Sequence, residues 1–527
     1  MTIPATPATP PGHSAPGQPL PRRERAFRRT RRLALAAVCT TAALALTGCF
    51  APAQPDSSGS ADGAQRIRLA MLQPPRSGLT PLSDDAFKLS RWQTAETLIV
   101  LDPNGDAQPS LATEWRQTDQ HTWEFTIRSG VTFHDGTALT AEQVVASLTA
   151  ATKASPKPRI LDGTELGITT VGDNTVEITT KDVDPLLPQR LSSPQLSILA
   201  AKAYGKNGVV DPIGAGTGPF VLTSVNGTSS AHLDRYDGYW GTKAKAAGID
   251  ADFVPDGAAR AAALRTGTAD LVEAIPVAQA PLLDQALVHE VPMPRTNTLY
   301  LNTEKGPFAK AENREIAAAA INRKTIVDTV YEGRADIAQG LLGPALPWAA
   351  DLRQPAPTPS PGTVDGETIT IGTFTDRPEL PEVAVQLQQQ LEAAGFKVKQ
   401  DVREYAQIES DALAGKFDAF ILSRATVLDS GDPVAYLYSD FACDGSFNIA
   451  QLCDKTVDAA IQKASETAPG PERRKAIMEA ERAVLDTHAA VPMLHERVIQ
   501  GEAANLSDAA RDPRERQLVL PGTSVSR

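Results

Sequence analysis

The chain has 527 residues, a formal net charge of −12, 42% hydrophobic and 22% charged side chains. That composition is that of a globular protein with a large core, long enough for roughly two to four domains. The acidic balance argues against nucleic acid as a partner and against a polybasic membrane contact.

The N-terminal stretch is unlike the rest. Residues 1–21 are rich in Pro, Ala and Thr and hold no Lys, Arg, Asp or Glu, so no packed structure is expected there. Seven arginines follow between Arg22 and Arg32, and then the fifteen residues 33–47 are apolar or small. The apolar run is shorter than the roughly 20 residues of a membrane span. Basic, apolar, then small residues is the layout of an export signal. Leu46-Thr47-Gly48-Cys49 resembles the lipobox of bacterial lipoproteins, which implies cleavage after residue 48 and a lipid on Cys49; the alternative is an ordinary signal with a chance cysteine. Thr30-Arg31-Arg32-Leu33 is weakly similar to a twin-arginine signal, and plain basic charge explains it equally. Residues 49–65 then read as a linker. Removing residues 1–48 takes seven arginines and Glu24 from totals of 51 basic and 63 acidic residues, leaving −18. Such a charge steers a cationic or amine-bearing ligand favourably.

Of four cysteines, Cys39 leaves with the signal and Cys49 takes the lipid. Cys443 and Cys453 remain close together in an exported chain, and a disulfide is expected. Its short loop is worth about 3 kcal/mol in the chain-entropy model. A metal pair lacks neighbouring histidines, and no HExxH or CxxC pattern occurs, so neither metal nor cofactor is expected.

Residues 65–72 alternate as a first strand. Residues 84–99 carry Phe87, Trp92, Ala95 and Leu98 at helical spacing. Residues 122–128 alternate as a half-buried strand with Trp123, Phe125 and Ile127 on one face. Thr140 with Gln143 forms a capping box before an apolar helical run. Residues 170–180 form a hairpin arm turning at 172–174, and Asn226-Gly227 joins strands 221–225 and 231–235. Residues 258–264 and 314–330 read as helices, and the proline-rich 354–362 as a stiff loop.

Residues 367–424 carry the architecture. Strands at 368–374, 396–402 and 417–423 alternate with helices at 381–394 and 407–414, which predicts parallel strands with right-handed crossovers. Ligands in such sheets sit outside the carboxyl ends of strands. The loop 423–433, which leaves one such end, is therefore the first place to look for a site.

Glu96-Thr-Leu-Ile-Val-Leu-Asp102, Leu111-Ala-Thr-Glu-Trp115, 122–136 with its Phe133-His-Asp-Gly136, and Leu139-Thr-Ala-Glu-Gln-Val-Val-Ala-Ser147 resemble the family-5 extracellular solute-binding proteins of ABC importers. Gly216-Thr-Gly-Pro-Phe220, Tyr239-Trp-Gly241, Ala262–Asp270, Leu301-Asn302, Ala320-Ile-Asn-Arg323 and Val457-Asp458 extend the likeness over roughly residues 66–500. The resemblance implies an α/β, periplasmic-binding-protein-like fold, with two lobes that close over a solute about a hinge. Lobe I would comprise 66–100, 206–293 and 496–527, lobe II 294–495, and a smaller extra domain 101–205.

In the peptide-binding members, a Gly-Trp-x-x-Asp-x-x-Asp-Pro-like segment supplies an acid that pairs with the peptide α-amino group. Asp429-Ser-Gly-Asp-Pro433 keeps that acid, while Thr426 stands in the Trp position and loosens the tie to peptides. A turn cap before Gly431 is the other reading of Asp429. Arg424 is placed to meet a ligand carboxylate, beside Ser423. The resemblance also puts Asn297 and His495 at pocket-facing positions and Thr217 at the hinge. His134-Asp-Gly136 reads as a turn, not a catalytic site. With no nucleophile elbow or metal motif, the expectation is a monomeric binding protein, not an enzyme. It would hand a small peptide or peptide-like solute to a membrane permease. A metal chelate, sugar or opine-like solute in the same fold, or a sensor role, stays open.

Overall fold

Strand Thr368–Phe374, helix Glu379–Ala393, strand Lys397–Arg403, helix Tyr405–Leu413 and strand Ala419–Ala425 follow one another as the alternating pattern predicts. The first strand lies between the other two and parallel to both. The longer helix buries Leu380, Val383, Ala384, Leu387 and Leu391, one stripe of a 3.6-residue period. The last strand is buried over its first five residues, which accounts for its apolar run. The computed structural model describes residues 63–161, 163–205, 208–355, 358–427 and 430–526. The signal and lipobox readings at 22–49, and Asp429, lie outside the described residues.

These three strands end an eleven-stranded sheet, in which Ala335–Ile337 pairs with Ala490–Glu502 off the main path. Next come two long strands, Val288–Leu301 and Ala490–Glu502, paired antiparallel from Val288 opposite Gly501 to Tyr300 opposite Ala490. The other half of the sheet holds Leu271–Val272, Arg66–Met71, Gly248–Phe253, Ser230–Arg235 and Phe220–Asn226, in that order. Two large hydrophobic cores flank this sheet. One draws on residues from Ile67 to Leu271 and on Leu506, Leu518 and Val519. The other spans Leu299 to Leu494. The chain therefore passes between the cores twice, along the two long strands.

A separate four-stranded antiparallel sheet orders Ala112–Asp119, Thr122–Ile127, Thr175–Thr180 and Leu166–Val171. Its Phe125, Ile127, Val176 and Ile178 join the first core without a break. Thr140 caps helix Ala141–Lys153 by accepting from Gln143 N at 3.3 Å. The Gln143 Oε1 makes no return bond, so the capping box is one-sided. Cys443 and Cys453 are disulfide-bonded.

Two predicted helices are corrected. The one expected over 84–99 spans only Ala86–Arg91. The chain turns at Gln93, with φ at 55°, and lays the Thr94 and Gln93 carbonyls on Gly216 and Gly218. A Cβ on either glycine would stand within 2.0 Å of those oxygens, so only glycine fits there. The helix expected over 314–330 is two, Ala311–Ala320 and Arg323–Val330. Between them Asn322 leaves helical geometry and its side chain accepts from Thr325 N, an N-cap the apolar pattern hides.

Candidate functional site

Strands Val288–Leu301 and Ala419–Ala425 pair without a slip from Arg295 opposite Ala425 to Leu301 opposite Ala419. Strand side chains alternate, so Arg295, Asn297 and the facing Ser423 share one side of the ladder. Asn297 is fully buried and donates from Nδ2 to the Tyr331 hydroxyl at 3.1 Å, yet its Oδ1 has no partner. Ser423 Oγ and Arg295 Nε are also buried without partners. A buried polar atom left unpaired costs about 1–3 kcal/mol. Three in one row mark a surface that folding alone does not satisfy.

Charged groups complete this polar layer between the cores. Arg377, in the turn before helix Glu379–Ala393, donates from Nη1 to Glu496 Oε2 at 2.7 Å. The Glu496 carboxylate is the chief cause of the raised Arg377 pKa. Burial raises the pKa of neighbouring Glu379. Glu515 reaches in from the C-terminal segment, its Oε2 4.0 Å from Arg295 Nη2. Asp512 braces that segment by accepting from the backbone of Arg514, Arg516 and Gln517. Glu515 has φ at 57°, and its carbonyl accepts from Arg91 Nε at 2.8 Å. Arg295 and Glu515 keep 21% and 16% of their side chains accessible, so the layer is not sealed.

The expected site residues divide. Ser423 and Asn297 come together in this layer. His495 lies one residue from Glu496, and its Nδ1 is 2.9 Å from Thr296 Oγ1. Burial pushes its pKa down to about 4, so the ring is neutral. Gly343 packs close on that ring. Thr426 is 4% exposed and donates its backbone N–H to Pro294 O at 2.8 Å, which ties the 423–433 loop to the long strand. Arg424 turns away from the layer. It grips the fully buried Asp440 through Nε and Nη2 at 2.9 and 2.8 Å and lies 4.3 Å over the Phe447 ring. Thr217 is fully buried in a different cluster, donating to Glu96 Oε2 at 2.7 Å. The same carboxylate accepts from Tyr239 and Trp240.

The far end of the 423–433 loop meets the turn after strand Ile99–Leu101. Gly431 lies against Leu101, and a Cβ on Gly105 would stand 2.8 Å from the Gly431 carbonyl. Trp348 Nε1 donates to Asn104 O at 3.1 Å, and Arg474 pairs with Asp106. Asp432 accepts from Arg473 Nε at 2.7 Å. The cavity along this seam holds about 30 Å³, too small for a solute. It is a contact between the two core regions.

Sequence reasoning missed Arg295, Arg377, Glu496 and Glu515. One signal was available for Arg377: the turn 375–378 leaves the carboxyl end of strand Thr368–Phe374, which runs parallel to the strand whose loop was singled out. Nothing local marks Glu515, which lies more than 200 residues from Arg295. Among the described residues no group of three or more His, Cys, Asp or Glu is placed to hold a metal. No described helix is long and apolar enough to cross a membrane.

Comparison with known proteins agrees with this architecture. Residues 106–448 match the family model of bacterial extracellular solute-binding proteins, family 5, middle region. The chain is 26% identical over 436 residues to the glutathione-binding protein GsiB of Salmonella paratyphi A, covering 78% of this chain and 85% of that one. It is 25% identical over 453 residues to the di/tripeptide-binding protein 3 of Pseudomonas aeruginosa, covering 77% and 84%. The solved structure of NikA from Brucella suis with Fe(III)-EDTA superposes with a TM-score of 0.77 at 20% identity, covering 87% of this chain and 100% of that one. The fold is that of the periplasmic binding proteins. The paired crossover strands, the polar layer between two cores and the match over 106–448 together make this chain a member of family 5 of the bacterial extracellular solute-binding proteins, the non-enzymatic binding components of ABC importers.

Proposed function

We propose that the mature protein is held to the cell membrane by a lipid on Cys49 and, as a monomer, captures short peptides or peptide-like solutes for an ABC permease. The solute would lie in the polar layer, between lobe I (66–100, 206–293, 496–527, with the 101–205 domain) and lobe II (294–495). The observation that carries the reading is the row of unpartnered groups on Arg295, Asn297 and Ser423. Asn297 and Ser423 offer an amide and a hydroxyl to a peptide backbone. Arg377 spends one nitrogen on Glu496 and keeps donors for a C-terminal carboxylate. Asp429 is assigned the α-amino group, on the family resemblance. Arg424 is assigned a supporting role, because Asp440 already occupies its fork. The relatives named for glutathione and for di- and tripeptides support a peptide-like solute.

Thermal-shift screening of the mature chain with di-, tri- and pentapeptides tests this. A ligand at about 100 times its dissociation constant adds about 2.7 kcal/mol of stability. Absence of any shift at millimolar peptide rejects the peptide reading. Asp429→Ala should weaken a binding peptide as much as N-acetylation does, and an acetylated peptide that binds equally well removes the amine role. A second reading has one support: the Brucella suis NikA structure holds a polycarboxylate metal chelate, and guanidinium groups suit such a ligand too. Chelates therefore belong in the same screen.

A further inference from the structure

We propose that Arg295 is the receptor for a solute carboxylate additional to the one assigned to Arg377, so that the site selects acids with two or more carboxylates. The inference rests on the polar layer being the binding site, as proposed above. If the solute is a peptide, it is then an acidic or γ-glutamyl one.

Three other arginines drawn into the fold meet acceptors from within the chain. Arg260 donates to four backbone carbonyls, those of Val254, Pro255, Glu273 and Ala274. Arg473 holds Asp432 and the carbonyls of Ala464, Ser465 and Thr467. Arg424 holds Asp440 through two nitrogens. Each of these cations is matched by hydrogen-bond acceptors, as a cation removed from water must be.

Arg295 departs from these three. Among the described residues its only ion-pair contact is the 4.0 Å approach to Glu515, which is beyond hydrogen-bond reach. Its Nε is buried without a partner. Burial is the main cause of its lowered pKa, and the nearby Arg377 adds to it. The guanidinium presents five donors in a planar fork that matches a carboxylate edge-on. Arg295 shares a face of the ladder with Asn297 and Ser423, whose Oδ1 and Oγ lack partners, on the side of the sheet where the solute is proposed to lie. Arg377 differs in already holding Glu496. Two cations in one layer, only one of them firmly paired, set a charge pattern that a monocarboxylate leaves half used.

Titration calorimetry of the mature chain tests this with Ala-Ala-Glu against Ala-Ala-Gln, Ala-Glu-Ala against Ala-Gln-Ala, and glutathione. The wild type should prefer an acid over its amide twin by about tenfold or more. Arg295→Gln should bring that ratio close to one. Arg295→Lys should keep part of the preference. The ligand-free melting temperature should be unchanged or higher in Arg295→Gln, because an under-partnered buried cation is removed. A marked fall shows that Arg295 is structural and overturns the inference, as does an acid preference that survives Arg295→Gln.

If no peptide binds the wild type, the peptide reading fails on its own. The same comparison then runs with succinate, citrate and Fe(III)-EDTA against succinamide. Acid binding that Arg295→Gln abolishes sustains the receptor role for a non-peptide acid. No acid binding in either panel, or binding indifferent to residue 295, overturns it.

Discussion

Two polar clusters in this chain solve the same problem in opposite ways. Around Glu96, every partner is supplied from within: Thr217, Tyr239 and Trp240 all donate to one carboxylate, and Arg128 lies 4.4 Å over the Trp240 ring. Between the cores, Arg295, Asn297 and Ser423 leave three buried atoms unpaired. The first cluster is finished when the chain folds. On the reading proposed above, the second is finished when a solute enters it.

The comparison can be broken from the structural side first. Glu96→Ala removes the common acceptor of three donors and should cost about 3–4 kcal/mol in urea unfolding, with solute affinity in the surviving fold unchanged. A loss below about 1 kcal/mol would mean the cluster is dispensable.

Acid should act next. Burial pushes both His495 and His134 down to about 4, against about 6.5 in an unfolded chain. The unfolded state therefore binds protons that the folded state refuses. The stability that these two rings contribute is fully present above about pH 6.5 and is lost as pH drops toward 4, by up to about 3 kcal/mol for each ring. Unfolding at pH 7, 5.5 and 4.5 measures this, and His495→Gln should flatten part of the slope.

Thr217→Val is a smaller test, expected to cost about 1 kcal/mol of stability and nothing in binding. A binding defect there would reassign Thr217 to the ligand. Ser423→Ala should cost no stability without solute and can raise it by about 1 kcal/mol, because its buried hydroxyl has no partner to lose. With solute the same change should weaken affinity by up to about tenfold, one neutral hydrogen bond. The contrast between those two substitutions is the sharpest form of the comparison.

Local signals carried the architecture well. The alternation of 368–425, the Thr140 cap and the hairpin at Gly227 each depend on near neighbours, and each is present in the fold. The first helix failed where a distant contact intervenes, with Gly216 and Gly218 packed on its end from across more than 100 residues, and the second failed at the local Asn322 cap. The site was half legible for the same reason. Asn297 came from the family likeness and Ser423 from the loop at the carboxyl end of its strand, and the two meet across one strand pair. An arginine within a strand reads as solvent-facing, so Arg295 passed unnoticed until its register and the position of Glu515 were known.

The two long paired strands have a mechanical consequence. Sliding one past the other, or splaying them in the plane of the sheet, would break a ladder that runs from Val288 to Tyr300. Twisting the ribbon spreads a few degrees over each residue and keeps every rung. The register slips between Pro292 and Thr296 and between Asn297 and Thr298, the weakest rungs, lie beside Arg295. On the reading proposed above, such a ribbon would act as a torsion spring, wound at the place where the solute is proposed to sit. A membrane partner reading the angle between the lobes would then receive one number, and occupancy of the polar layer would set it.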